Sequence, residues 1–159
     1  MALFLSTFVN KIDKKGRVSV PATFRAALSQ EPFQGFIAFR SYKYAALDCC
    51  GYARMERLSQ SVDGMAMFSD EQDSLTASIF ADALQLPFDG DGRVILPQGL
   101  LDYAQIEDRV AFVGRGGTFQ LWRPESFEQV QEEARVRAKN AQATLSLHRE
   151  ASLSQGEVS

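Results

Sequence analysis

Apolar residues fall along this chain in short bursts, and the spacing inside each burst predicts what it forms. A run from Phe4 to Ile12 predicts a strand, and Arg17 to Val20 a second, shorter one. After Pro21, Phe24 and Leu28 continue at spacings of three and four, the stripe of a short amphipathic helix. Strands are expected over Gly35–Phe39 and Tyr44–Cys49, then a helix from about Ala53 to Val62. Ser69 to Leu84 reads as a further helix with Leu75, Ile79 and Phe80 on its stripe. Strands follow at Ala83–Phe88, Arg93–Leu96, Val110–Val113 and Thr118–Trp122. After Pro97, Leu100, Leu101 and Ala104 mark another short helix. A closing helix starts near Pro124 with Phe127, Val130 and Ala134 on one face. From about Ala141 the residues turn small and polar, and a loose tail is expected.

The bursts repeat. Asp13-Lys-Lys-Gly16-Arg17-Val18-Ser-Val20-Pro21 lies against Asp89-Gly-Asp-Gly92-Arg93-Val94-Ile-Leu96-Pro97 at a constant offset of 76, with five of nine positions identical. In each copy a strand leads into a tight turn. An aspartate there can bond its own backbone two residues on, and a glycine can take a positive φ. A second strand follows, and a proline opens a helix, where a missing N–H costs nothing. Each copy of about 75 residues is thin for a core of its own. A pseudo-symmetric pair sharing one core is therefore expected, with residues 1–68 as the first half, 69–140 as the second and 141–159 as the tail.

Charge separates the two copies. The net charge is −3, yet residues 1–40 carry six cations against two acids, while residues 70–108 carry nine acids against Arg93 alone. One face that attracts polyanions and another that does not is the expected result. No run approaches the ~20 apolar residues of a membrane span. The N-terminus has no basic lead and no small-residue cleavage site, so it is not read as a signal peptide. Cys49 and Cys50 are adjacent and do not suggest a disulfide framework, which favours a reducing, cytoplasmic setting.

The candidate chemistry is concentrated in the first turn. Lys14, Lys15 and Arg17 form a basic tip, which could be a solvated hairpin end or a contact for phosphate. The second copy decides between these. Both copies keep Asp, Gly, Arg and Pro, and only the first keeps lysines. Asp13, Gly16 and Pro21, with Asp89, Gly92 and Pro97, are therefore read as turn and helix-start residues, and Lys14 and Lys15 as function. Arg17 is read as a DNA contact. Arg93 is open between DNA and an ion pair to the aspartate four residues earlier. Lysine and arginine on phosphate supply most DNA affinity, and arginine at a guanine edge supplies specificity.

Other chemistries fit poorly. The single histidine, His148, and two neighbouring cysteines do not make a four-donor zinc site or a Cys/His nucleophile pair. The acids of 70–108 follow no ligand spacing. Gly114 to Gly117 leads into a strand and reads as a hairpin loop, not as a phosphate cradle before a helix. No enzyme activity, metal, cofactor or small-molecule substrate is expected.

At the doubled Asp-x-x-Gly-Arg-Val-x-Φ-Pro motif the chain closely resembles the MraZ family of bacterial transcriptional regulators, of the AbrB/SpoVT swapped-hairpin superfamily. The spacing near 76, the Phe8-Val9-Asn10 stretch and the length agree, over about residues 1–140. The resemblance implies a mixed α+β fold of two AbrB-like, swapped-hairpin barrel halves with short flanking helices. It further implies a ring-shaped homo-oligomer, nucleoid-associated, on double-stranded DNA with short direct repeats upstream of its own division and cell-wall operon. It places Arg17 at the arginine of the DNA-contacting motif, with Lys15 before its glycine. The acid at Asp91, where the first copy has Lys15, departs from the basic pattern. The competing reading is an oligomeric protein-binding scaffold with no DNA role. An AbrB-like antitoxin would be expected to carry one copy of the motif and a long toxin-binding tail.

Overall fold

The computed structural model describes residues 3–158, with side chains described through residue 141. Two compact units are present, one reaching to Pro124 and one from Glu125 onward.

The first strand is shorter than its apolar pattern. Ser6 takes a φ of +73°, which breaks the run, so β1 spans Thr7–Lys11 and Phe4 makes an isolated bridge to Gly116. β2 (Arg17–Ser19), α1 (Ala22–Ala27), β3 (Gly35–Arg40), β4 (Leu47–Cys50) and α2 (Tyr52–Asp63) follow. The helix expected over 69–84 divides. α3 (Asp70–Leu75) begins with Ser69 accepting from the Gln72 N–H, and Thr76–Phe80 is a π-helical turn before β5 (Leu84–Pro87). β6 (Arg93–Ile95), α4 (Gln98–Tyr103), β7 (Arg109–Gly114) and β8 (Phe119–Trp122) complete the first unit. The last helix, α5 (Pro124–Val158), makes up the second unit from its second residue onward. The side chains of 142–159, where a loose tail is expected, lie outside the described residues.

Six strands form one antiparallel sheet in the order β1-β7-β8-β4-β3-β5, and β2 pairs with β6 in a separate ribbon. Exchange each strand for its counterpart in the other copy, β1 for β5, β3 for β7, β4 for β8, and the six-strand order reads the same backwards. Strands of one copy thus pair with strands of the other: β1 on β7, β3 on β5, β4 on β8 and β2 on β6. The expected swapped-hairpin barrel is not closed. The large ladder ends at β1 and β5. The tight turns carry β2 and β6 away from it onto each other, while an Ile12–Val18 bridge and the Asp13 N–H, which donates to the Arg17 carbonyl at 3.0 Å, keep β2 tied to its own hairpin. What is observed is a mixed α/β arrangement with an open sheet.

The interleaving gives one main core. Phe24 of α1, fully buried, packs edge-on to Phe4 with ring centroids 5.3 Å apart and meets Phe119 at 5.1 Å. Phe36 approaches Phe119 at 5.0 Å. Leu100 of α4 with Ala104 at its C-terminal cap, and Val18 and Val94 of the ribbon with Val20 and Leu96 just beyond it, close the same core. Edge-to-face rings contribute beyond their buried area, so this cluster ties both copies to one packing solution. A smaller cluster holds Ile37, Cys50 and Met55, with Ile79 and Phe80 against them. Asp82 clamps Arg40 through both its backbone N–H and its guanidinium.

Candidate nucleic-acid interface

Both turns are built by the same hydrogen bonds. Asp13 Oδ1 accepts from the N–H groups of Lys15 and Arg17, each at 2.9 Å. Asp89 Oδ1 accepts from Asp91 at 2.8 Å and Arg93 at 3.0 Å. The glycine N–H donates back to the aspartate carbonyl in each, at 3.0 Å for Gly16 and 3.1 Å for Gly92. The glycines take φ of +82° and +73°, a region closed to most L residues. Asp, Gly and Arg recur because a tight reversal needs an acceptor, a left-handed residue and a counter-charge. Pro21 and Pro97 sit at the caps of α1 and α4, one position earlier than the first helical residue.

The ribbon locks one turn to the other. Arg17 faces Ile95, Val18 faces Val94 and Ser19 faces Arg93. Leu96 N–H donates to the Gly16 carbonyl at 2.8 Å, and Val20 N–H donates to the Gly92 carbonyl at 3.1 Å. Val18 and Val94 are buried beneath the ribbon. Alternation then turns Arg17, Ser19, Arg93 and Ile95 to the outer face. Arg17 and Arg93 are diagonal neighbours there, about 7 Å apart along the strands at ~3.3 Å per residue. Asn10 of β1 donates to the Ser19 carbonyl at 2.7 Å and braces the same face.

The two arginines differ in how they are held. Arg17 Nε donates to Asp13 Oδ2 at 2.6 Å, and its terminal nitrogens have no partner among the described residues. Arg93 Nε donates to Asp89 Oδ2 at 3.0 Å, and its Nη2 also lies 3.3 Å from Asp91 Oδ2. One arginine is anchored by its inner nitrogen and presents its fork. The other is held by two carboxylates. The backbone N–H of Arg17, and then its guanidinium, hold the Asp13 carboxyl below the usual carboxylate range, and Arg93 does the same for Asp89. Asp13 therefore stays ionised near neutrality and keeps Arg17 in place.

Lys14 and Lys15 are exposed beside Arg17, and Lys11 stands across the β1–β7 pair from Arg109. The sequence offers no sign of that cross-copy pairing, so Lys11 and Arg109 join the basic end only once the register is known. At this end the structure brings together Asp13, Lys14, Lys15, Gly16 and Arg17. At the other it groups Asp89, Asp91, Gly92 and Arg93.

Other candidate groups lie elsewhere. Cys49 and Cys50 are buried on β4, and burial pushes both thiols up, Cys50 to about 11. Among the described residues no group of His, Cys, Asp or Glu is placed to hold a metal ion. The His148 side chain lies outside them. Gly114 to Gly117 is a β7–β8 hairpin tip whose backbone pairs with Phe4 and Ser6. No helix among the described residues is long and apolar enough to cross a membrane.

A family model for MraZ protein matches residues 79–148. A protein named transcriptional regulator MraZ from Rickettsia akari (strain Hartford) is 45% identical over 145 residues, covering 91% of this chain and 97% of that protein. The protein of the same name from Rickettsia bellii (strain OSU 85-389) is 45% identical over 146 residues, with 91% and 97% covered. That from Rickettsia felis (strain ATCC VR-1525 / URRWXCal2) is 44% identical over 145 residues, again with 91% and 97% covered.

Proposed function

The chain belongs to the MraZ family, and from that premise we propose that it is a sequence-specific DNA-binding transcriptional regulator, without enzymatic activity, whose basic turn Lys14-Lys15-Gly16-Arg17 contacts the duplex. The observation that carries this reading is the pair of equivalent turns on one ribbon. They fold alike, yet one presents lysines and an arginine fork while the other binds its arginine with two acids. Lys14 and Lys15 contact phosphate, and Arg17 reads a base edge, guanine by preference.

Assembly supplies the rest of the affinity. One turn offers few charges, and non-specific binding of that kind lies at roughly 10⁻⁴ to 10⁻⁶ M. A ring-shaped homo-oligomer presenting several such turns raises the effective concentration of each, adding about 10²–10⁴-fold where geometry lets them engage together. Turns related by the rotation of a ring face the same way along the duplex, so the matching site is a set of short direct repeats, upstream of the protein's own division and cell-wall operon. The setting is cytoplasmic and nucleoid-associated.

The test is a series of fragments from upstream of the gene with one, two, three and four direct repeats. Affinity rises steeply from one to three and is lost when the spacing changes by half a helical turn. Equal affinity for one and three repeats would remove the ring from the mechanism. Binding to a protein partner with no DNA affinity would favour a scaffold instead.

A further inference from the structure

The second turn is short of positive charge, but a residue from the first copy lies against it. Arg25 of α1 donates from Nε to the Val20 carbonyl at 3.1 Å. Val20 in turn donates its N–H to the Gly92 carbonyl at 3.1 Å. This chain of bonds sets the Arg25 head over the glycine of the second turn. A Cβ built on Gly92 would lie 2.7 Å from Arg25 Nη1, 2.8 Å from its Cδ and 2.9 Å from its Cζ. The opposite end of the ribbon has no such cation. Position 101, the counterpart of 25 at the same offset, is a buried leucine, and Gly16 faces the Leu96 carbonyl and Ile95.

The placement changes the charge of that end. Asp89 and Asp91 outweigh Arg93 by one, and Arg25 brings the turn to balance. Arg25 is exposed, and its terminal nitrogens have no partner among the described residues. Its Nε is fixed, so little rotamer freedom remains to be lost on meeting an anion. Arg17 and Arg93 share the outer face of a ribbon only three pairs long, so a duplex lying on the first turn passes close to the second.

We propose that Arg25 contacts a DNA backbone phosphate at the second turn, supplying from the first copy the cation that Asp91 denies it. This rests on the DNA-binding reading above. It assigns Arg25 a positioning contact without sequence preference, so its loss weakens all duplexes alike.

The experiment is a salt titration of binding to a mixed-sequence duplex, for wild type, Arg25→Met and Arg25→Lys. Met keeps an apolar stem against Gly92 without charge, and Lys restores the charge as a point donor. All three are compared below their melting transitions and at equal oligomer size. One lost phosphate contact lowers the slope of log affinity against log salt by about one unit. The expected result is that loss in Arg25→Met and a near wild-type slope in Arg25→Lys. A wild-type slope retained by Arg25→Met overturns this inference alone. A wild-type protein whose duplex binding shows no salt dependence overturns the DNA reading, and this inference with it.

Discussion

The backbone N–H of Lys15 and that of Asp91 donate to the same atom of equivalent aspartates, at 2.9 Å and 2.8 Å. A lysine and an aspartate thus stand at one position of one turn, and the turn closes identically around each. Its geometry is set by Asp, Gly and the ribbon. The side chain between them is free to serve another purpose, and in the first copy that purpose is positive charge.

Asp13 should matter to binding through Arg17. Asp13→Ala removes the acceptor for two backbone N–H groups and the anchor of the Arg17 Nε. DNA affinity should fall while the oligomer persists. The acid dependence has a definite sign. The carboxyl is held below its ordinary value in the folded turn, so its contribution is present above the usual carboxylate range and lost as pH falls through the lowered value. The protection factors of the Lys15 and Arg17 amides, measured against their intrinsic exchange rates at each pH, should fall in that acidic window and hold near neutrality. Unchanged protection there would contradict the assignment.

Arg17 and Arg93 should separate in mutagenesis. Arg17→Ala removes a free fork, and a well-made arginine–base contact supplies roughly 1–3 kcal/mol of discrimination. Specific binding should be lost with the assembly intact. Arg93→Ala removes a guanidinium shared between Asp89 and Asp91, so melting or assembly should suffer more than binding. Thermal melts beside binding isotherms test this. Equal losses of affinity in the two variants would contradict it.

The two turn glycines should also differ. Both take a positive φ, which costs an L residue about 1–2 kcal/mol. A Cβ on Gly16 would additionally lie 2.7 Å from the Leu96 carbonyl oxygen, part of the ribbon backbone. The three atoms nearest a Cβ on Gly92 belong to the Arg25 side chain, which can shift at the loss of its one hydrogen bond to Val20, whereas ribbon backbone cannot. Gly16→Ala should therefore destabilise more than Gly92→Ala, by about 1 kcal/mol or more. Denaturant melts measure the difference, and a larger loss in Gly92→Ala would refute the packing argument.

Much of this architecture is legible in the residues. The Asp13 and Asp89 motifs reveal the repeat and the turn chemistry, and the eight strands among the described residues lie at or near their apolar bursts. Pairing is not legible. Alternation turns a side chain inward whether its strand pairs within its own copy or across, so β1 on β7 and β3 on β5 leave no trace in the pattern. Nor does Arg25, four residues past the motif proline, show that it lies on the other copy's glycine. Ser6 gives no warning of its positive φ. The single helix expected over 69–84 fails because its period cannot register the π-helical turn at Thr76–Phe80. The basic character of Lys14, Lys15 and Arg17 is plain in the sequence. The clamp that leaves the Arg17 fork open arises only in the folded turn, where Asp13 Oδ2 meets the Arg17 Nε.

The buried thiols predict a response to alkali. Burial holds the Cys50 thiol at about 11 and Cys49 well above the ordinary value of 9.0. Below that ordinary value neither folded nor unfolded chain ionises them. Above it the unfolded chain releases protons that the folded one keeps, so stability falls as pH rises from about 9 toward 11. At ~1.4 kcal/mol per unit, Cys50 alone accounts for on the order of 2–3 kcal/mol. Native protein at neutral pH should resist alkylation at both cysteines and react on unfolding. Rapid native labelling would contradict the burial of β4.

The most direct test of the central claim exchanges one residue between the turns. Lys15→Asp gives the first turn the acid that Asp91 already carries in a turn of the same geometry, so folding and assembly should be unaffected. The measurement is the binding isotherm of Lys15→Asp against wild type on the duplex upstream of the gene, over a series of salt concentrations. Loss of binding is expected, with an unchanged melting temperature and oligomer size. A Lys15→Asp protein that binds this duplex with wild-type affinity and salt dependence would show that the basic turn is not the DNA contact.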